Sequence, residues 1–140
     1  MRKKLTSLNF AKIIAELIKN KKGFEIKILD LRKLSTIADF FVICSADSER
    51  QVKAIADEIE EKLSQQRIKC SNKEGYETMN WVLLDYFDVI VHIFKTEARN
   101  YYNLEKFWGD APVIVVKDEP VDSTKQKTNT KSLKSSRRSN

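Results

Sequence analysis

Two aspartates, Asp85 and Asp88, flank Tyr86-Phe87, and a third, Asp39, precedes a long apolar run. Paired carboxylates at this spacing could hold a divalent cation or divide acid and base roles. A metal-dependent nucleotidyltransferase using Asp85 and Asp88 would exploit them in that way. Such chemistry also needs a phosphate cradle, usually glycine-rich so that backbone N–H groups can close on the anion. The corresponding strand-to-helix turn here is Ser45-Ala46-Asp47-Ser48. It lacks glycine and puts an acid where a phosphate would sit. Only three glycines occur in the chain, Gly23, Gly75 and Gly109, so no other segment supplies the cradle. The aspartates read better as strand terminators or as part of a recognition surface.

His92 is the only histidine, and it lies mid-strand between Val91 and Ile93. Together with Cys44 and Cys70 it would offer soft metal ligands, but no two of the three share ligand spacing. A Cys-His catalytic pair fails for a further reason: Cys44 lies in an apolar run that reads as core, where a thiolate does not form easily. His92 therefore reads as a strand histidine with a structural or interface hydrogen bond. No metal and no cofactor are expected.

Aromatic residues say more. Trp81, Tyr86, Phe87, Tyr101, Tyr102, Phe107 and Trp108 fall within one short span. Most aromatics at such spacing are core, and Leu104 with Trp108 reads that way. Seven are more than one small sheet readily covers, so some should stay exposed beside Asp85, Asp88, Glu97 and Glu105. Aromatic anchors ringed by acids suit a basic protein partner. They suit a nucleic-acid backbone poorly, because the acids repel phosphate.

These residues need a frame. Phe10, Ile13, Ile14, Leu17 and Ile18 repeat at helical spacing, with Thr6 or Ser7 as cap and Gly23 just beyond the end. Phe24 to Leu29 reads as a strand with Phe24, Ile26 and Ile28 on one face. Residues 39–45 are a continuous apolar run, the pattern of a strand buried on both faces. Ser48-Glu49-Arg50-Gln51 has capping-box form and opens a helix carrying Val52, Ile55, Ala56, Ile59 and Leu63. A short strand is expected around Ile68 to Asn72. Trp81 to Asp85 and Val89 to Phe94 read as a tight antiparallel hairpin. Glu97 to Trp108 reads as one helix capped by Thr96. The order predicts a single α/β domain: a mixed sheet of about five strands flanked by helices.

The 140 residues suffice for one domain, and a hydrophobic fraction of 41 % supplies one core. No apolar run approaches the ~20 residues of a membrane span. The basic start Met1-Arg2-Lys3-Lys4 has no apolar stretch or cleavage site behind it, so a secretory signal is not expected. Two cysteines make no disulfide framework and favour a reducing, cytoplasmic setting. The net charge of +6 is unevenly placed. Residues 117–140 carry seven Lys or Arg and three acids, leaving 19 basic and 17 acidic side chains to residues 1–116. A near-neutral body argues against a broad cationic groove. The Ser/Thr/Lys-rich stretch 117–140 reads as a disordered basic tail on a domain of residues 1–116. It either contacts RNA non-specifically or simply solubilises the chain; a general RNA-binding module would be led by it.

Ser35-Thr36-Ile37-Ala38-Asp39-Phe40-Phe41-Val42-Ile43-Cys44, followed by Ser48-Glu49-Arg50-Gln51-Val52 and Ala54-Ile55-Ala56-Asp57, resembles the RsfS family, also called YbeB or Iojap. So do Glu74-Gly75, residues 81–86, residues 88–94 and the run from Arg99 to Trp108. The resemblance covers roughly residues 5–112 in order. It implies a nucleotidyltransferase-like fold without the catalytic motif and a protein that is not an enzyme. It further implies binding to the large ribosomal subunit through ribosomal large-subunit protein fourteen. That would block small-subunit joining and repress translation, with a role in large-subunit maturation. On this likeness the partner surface comprises Trp81, Asp85, Tyr86, Asp88, His92, Tyr102, Glu105 and Trp108. The Ser45 to Gln51 turn would support it. A homodimer off the ribosome through the same surface is expected as well.

Two features depart from the family pattern. Phe87 stands where the family usually has glycine. If the turn needs φ > 0, Phe87 costs on the order of 1 kcal/mol, or the turn changes type and reorients Tyr86 and Asp88. The tail after Val116 also runs past the usual family end.

Overall fold

A computed structural model describes residues 5–117. Residues 118–140, which hold most of the expected disordered tail, lie outside the described residues, and so do residues 1–4.

The described chain runs α1 (Ser7–Asn20), β1 (Phe24–Asp30), β2 (Phe40–Ala46), α2 (Glu49–Gln65), β3 (Asn72–Glu74), β4 (Trp81–Asp85), β5 (Val89–Lys95), α3 (Thr96–Tyr102), α4 (Leu104–Phe107) and β6 (Val113–Val116). The strands form one sheet in the order β3-β4-β5-β2-β1-β6. Only β2 and β5 run parallel, so the sheet is mixed. The expected α/β class holds, with six strands rather than about five. The added strand, β6, pairs antiparallel with β1, Val113 opposite Leu29 and Val116 opposite Ile26. Four residues behind Pro112 give too short a pattern to read locally, and only the distant partner β1 makes them a strand.

β2 lies at the centre of the sheet, and all seven of its residues are buried, as its unbroken apolar run requires. On one face α1 and α2 pack Phe10, Ile14, Ile18, Val52, Ile55 and Ile59 onto Ile26, Ile28, Val42 and Val91. Each fully buried isoleucine contributes about 1.5–3 kcal/mol of transfer free energy. The other face is covered by the short α3 and α4 over a second cluster that includes Phe41, Ile43, Ile90 and Phe94. The sheet therefore sits between two layers of unequal cover.

Thr6 caps α1 through its side chain, which accepts from Asn9 N. α1 and α2 end alike. Gly23 N donates to Ile18 O and Lys22 N to Lys19 O; Ile68 N donates to Leu63 O and Arg67 N to Ser64 O. These are Schellman endings, with Lys22 and Arg67, not glycine, at positive φ. Gly23 is needed one place later, where an added Cβ would strike the Ile18 side chain. The exit from α2 also corrects the third strand. Ile68 is consumed by the helix ending, so pairing starts only at Asn72, and β3 is a short exposed edge. Ser48 caps α2 by accepting from Gln51 N, but the Gln51 side-chain Oε1 accepts from Asp47 N rather than from Ser48 N. The Gln51 amide then donates to Lys21 O and Lys22 O, fastening the start of α2 to the end of α1.

The last predicted helix is two. Asn103, at φ +50°, breaks it between Tyr102 and Leu104. Thr96 is the first residue of α3, with Lys95 in the cap position, and its hydroxyl donates to Ala46 O instead. In β1, Ile26 and Ile28 face the α1/α2 core as expected. Glu25 has φ +50°, and the pairing with β2 shifts between Phe24 and Lys27, so Phe24 leaves that face.

A candidate protein-docking surface

Alternation along the strands decides which side chains meet under α3 and α4. On β4 these are Trp81, Leu83 and Asp85; on β5, Ile90, His92 and Phe94; on β2, Phe41, Ile43 and Ser45. Trp81 is aligned with Phe94, Leu83 with His92 and Asp85 with Ile90. The Trp81 indole stacks on Phe94 at 4.9 Å and lies 4.9 Å from the Tyr102 ring. Its Nε1–H donates to His92 Nδ1 at 3.0 Å. His92 in turn lies edge-on to Phe41 at 4.4 Å, and Phe41 meets Trp108 at 5.8 Å. Tyr102, Trp81, His92, Phe41 and Trp108 thus form one chain of rings across the sheet. Gly75 supports its end: at φ +93°, any Cβ there would collide with the Trp81 carbonyl.

Exposure graduates along this chain. His92 and Phe41 are buried, Trp81 and Trp108 are half-buried, and Tyr102 is 53 % exposed. Around the rim Tyr101 and Phe107 are 81 % and 78 % exposed, and Phe87, in the β4–β5 turn, is 71 % exposed. Asp88 and Glu97 are exposed nearby in sequence, and Asp85 is half-buried. Burial pushes His92 down to about 3, so the ring is neutral. Because an indole N–H only donates, His92 Nδ1 must accept, and the ring proton sits on Nε2.

Arg99 holds α3 and α4 in place. It is 6 % exposed, and its guanidinium grips Glu105 with two nitrogens at 2.9 and 3.0 Å. The remaining nitrogen donates to Glu25 O at 2.6 Å and to Ser45 Oγ at 2.8 Å. Lys27 adds a second cation to Glu105 at 3.1 Å. Arg99, and then Lys27, hold the Glu105 carboxyl below its usual range. The αL turn at Asn103 is what lets Glu105 fold back onto Arg99.

Of the eight residues expected at the partner surface, Trp81, His92, Tyr102 and Trp108 come together in the ring chain. Asp85 ends the same face of β4. Its Oδ1 accepts from Phe87 N across the hairpin turn. Asp88 is exposed at that turn, while its carbonyl accepts from Asp39 N and Phe40 N. Tyr86 is not brought to this surface. It is 6 % exposed on the opposite face, 5.7 Å from Phe10, because it is one residue out of phase with Trp81 and Asp85. Glu105 points inward to Arg99 and Lys27. Phe87 keeps the hairpin at two residues with φ +70°; positive φ at the first loop position alone is the pattern of a type II′ turn. The strain branch of the expectation therefore applies. Sequence reasoning missed Arg99 as the clamp, since one arginine in a helix announces nothing about burial. It also left Tyr101 and Phe107 off the site, although their excess over the core was the available signal.

Among the described residues, no group of three or more His, Cys, Asp or Glu side chains is arranged to hold a metal. Cys44 is buried, and its thiol is pushed up to about 12, so it is not a nucleophile. Ser45, in the turn that would have cradled phosphate, is buried beneath the Arg99 guanidinium. No described helix is long and apolar enough to cross a membrane.

Residues 4–140 match the sequence family described as ribosomal silencing factor during starvation, RsfS. Ribosomal silencing factor RsfS of Halalkalibacterium halodurans is 47 % identical over 97 residues, covering 69 % of this chain and 83 % of that protein. The Bacillus subtilis protein of the same name is 44 % identical over 102 residues, or 73 % of this chain and 86 % of its own. A crystal structure of a Chromobacterium violaceum protein, 35 % identical, superposes with a TM-score of 0.72 over 74 % of this chain and 87 % of that one.

Proposed function

The chain belongs to the ribosomal silencing factor family RsfS, and from that premise we propose that it silences by occupancy rather than by chemistry. It docks on the large ribosomal subunit through ribosomal large-subunit protein fourteen and sterically keeps the small subunit from joining. Translation falls because paired ribosomes do not form. The setting is the cytoplasm. Assistance to large-subunit maturation and self-association through the same face off the ribosome belong to the same reading. Contact between the basic tail and ribosomal RNA is a further part of it.

The observation that carries this proposal is the aromatic rim. Tyr102, Tyr101 and Phe107 project from short helices that Arg99 locks to the sheet, beside half-buried Trp81 and Trp108. Large exposed rings on a rigid base are what anchor protein interfaces. Half-buried Asp85, which ends the same face of β4, and exposed Glu97 on α3 supply the sign that a basic partner needs. Nothing comparable favours the nucleotidyltransferase alternative. Asp85 is engaged in closing its own turn, and the would-be phosphate turn is plugged by Arg99.

Titration of the purified chain against isolated ribosomal protein fourteen tests the surface. Tyr102→Ala and Phe107→Ala, both largely exposed, should leave thermal stability within about 0.5 kcal/mol. Each should weaken binding by 10-fold or more, at the scale of about 1.4 kcal/mol per decade. Undiminished binding by both variants would move the interface elsewhere.

A further inference from the structure

One atom on the docking face has no hydrogen-bond partner among the described residues: His92 Nε2. His92 is 3 % exposed, at the centre of the ring chain. Trp81 donates to its Nδ1, which fixes the proton on Nε2 and makes that atom a buried donor with nothing to receive it. The two ring nitrogens point apart, so Nε2–H is directed away from Trp81. Leaving a donor buried and unmet is costly, and folded proteins keep few such groups. The Trp81 indole explains why an acceptor is needed at Nδ1, but it leaves the donor on Nε2 without a partner among the described residues. The donor is therefore better explained by what arrives than by what is already there.

The surroundings specify the acceptor. Leu83 lies beside His92 on β4 and is half-buried; Phe41 stands over the ring, and half-buried Trp108 stands over Phe41. None of these carries a charge. An incoming carboxylate would be stripped of water among aromatic rings with no cation to face, and an incoming ammonium has no lone pair for an N–H. A neutral oxygen fits.

We propose that His92 Nε2–H is a recognition donor, left unmet in the free protein and satisfied on docking by a neutral oxygen of the partner, a main-chain carbonyl or a side-chain hydroxyl. Leu83 and Trp108, both half-buried, are the side chains that a rotamer change of the kind common at interfaces would move to admit the oxygen. This deepens the proposed function and rests on it. It turns His92 from a core residue into a determinant of register: the partner binds well only when an acceptor sits over this one point.

Histidine-labelled chain titrated with isolated ribosomal protein fourteen reads the bond directly by nitrogen-proton NMR. The free protein should show the Nε2–H tautomer, and that proton should move downfield in the saturated complex. His92→Phe keeps the ring volume and removes the donor. It also strips the Trp81 indole of its acceptor, so it should melt lower by the loss of that one bond, and it should bind roughly 10-fold more weakly. An Nε2–H signal unmoved at saturation, or a folded His92→Phe variant that binds as tightly as the original, overturns the inference. Should His92→Phe fail to fold, the NMR titration decides alone. If backbone amide signals across the chain also fail to respond, the docking function itself is what has failed.

Discussion

Replacing Arg99 by methionine should cost more stability than any single surface change in this chain. The guanidinium donates to Glu105 twice, to Glu25 O and to Ser45 Oγ, the last on a residue with no exposure. Breaking a buried ion pair from one side costs about 3–5 kcal/mol, and each acceptor left unmet about 1–3. Two features moderate this. The Glu105 side chain is one-quarter exposed and keeps Lys27, and methionine restores part of the apolar packing. The expected net loss is about 3 kcal/mol, or roughly 10 °C in melting temperature for a domain of this size. The pH dependence carries the sign. Glu105 is held below its unfolded pKa, so its contribution is present above that value and is lost as pH falls through the folded one. Arg99 is the main cause, so the deficit of Arg99→Met should be widest at pH 7 and narrow below about pH 4. Urea unfolding followed by circular dichroism at the two pH values measures both. A loss under about 1 kcal/mol at pH 7, or a deficit that widens in acid, would refute the clamp.

Two further outcomes follow from backbone and burial. Phe87→Gly relieves a positive φ at a residue whose ring is mostly exposed, so melting temperature should rise by a few degrees, worth about 1 kcal/mol; a fall would mean that the turn carries no strain. His92 stays neutral when folded but charges when unfolded, because its folded pKa, about 3, lies below the unfolded one. The unfolded state then binds the extra proton as pH drops below about 6.5, and stability should decline by about 2 kcal/mol between pH 7 and pH 5. His92→Phe should flatten that slope, and calorimetry at stepped pH shows whether it does.

The parts legible in the sequence were those with a local cause. α1 and α2 announced themselves by a repeated apolar stripe and a capping serine or threonine, and β2 by a run too apolar to face water on either side. The hairpin was visible because two strand patterns were separated by only Tyr86, Phe87 and Asp88. What escaped depended on distant partners or on single dihedrals. β6 exists only because β1 offers an edge. Asn103 breaks the final helix through one αL residue, and no spacing rule marks it. Tyr86 illustrates the limit for the site. Sequence placed it with Trp81 and Asp85, yet one step along a strand sends it to the opposite face, where Phe10 waits. Arg99 was invisible for a related cause: its four acceptors lie on β1, β2 and the start of α4, and only the fold collects them.

The measurement that bears most directly on the account is sedimentation of purified large and small subunits, with the chain added to the large subunit before mixing. Joined ribosomes should decrease and the chain should travel with the large subunit, and Trp81→Ala should restore joining. Undiminished joining, with the chain left at the top of the gradient, would contradict silencing by occupancy.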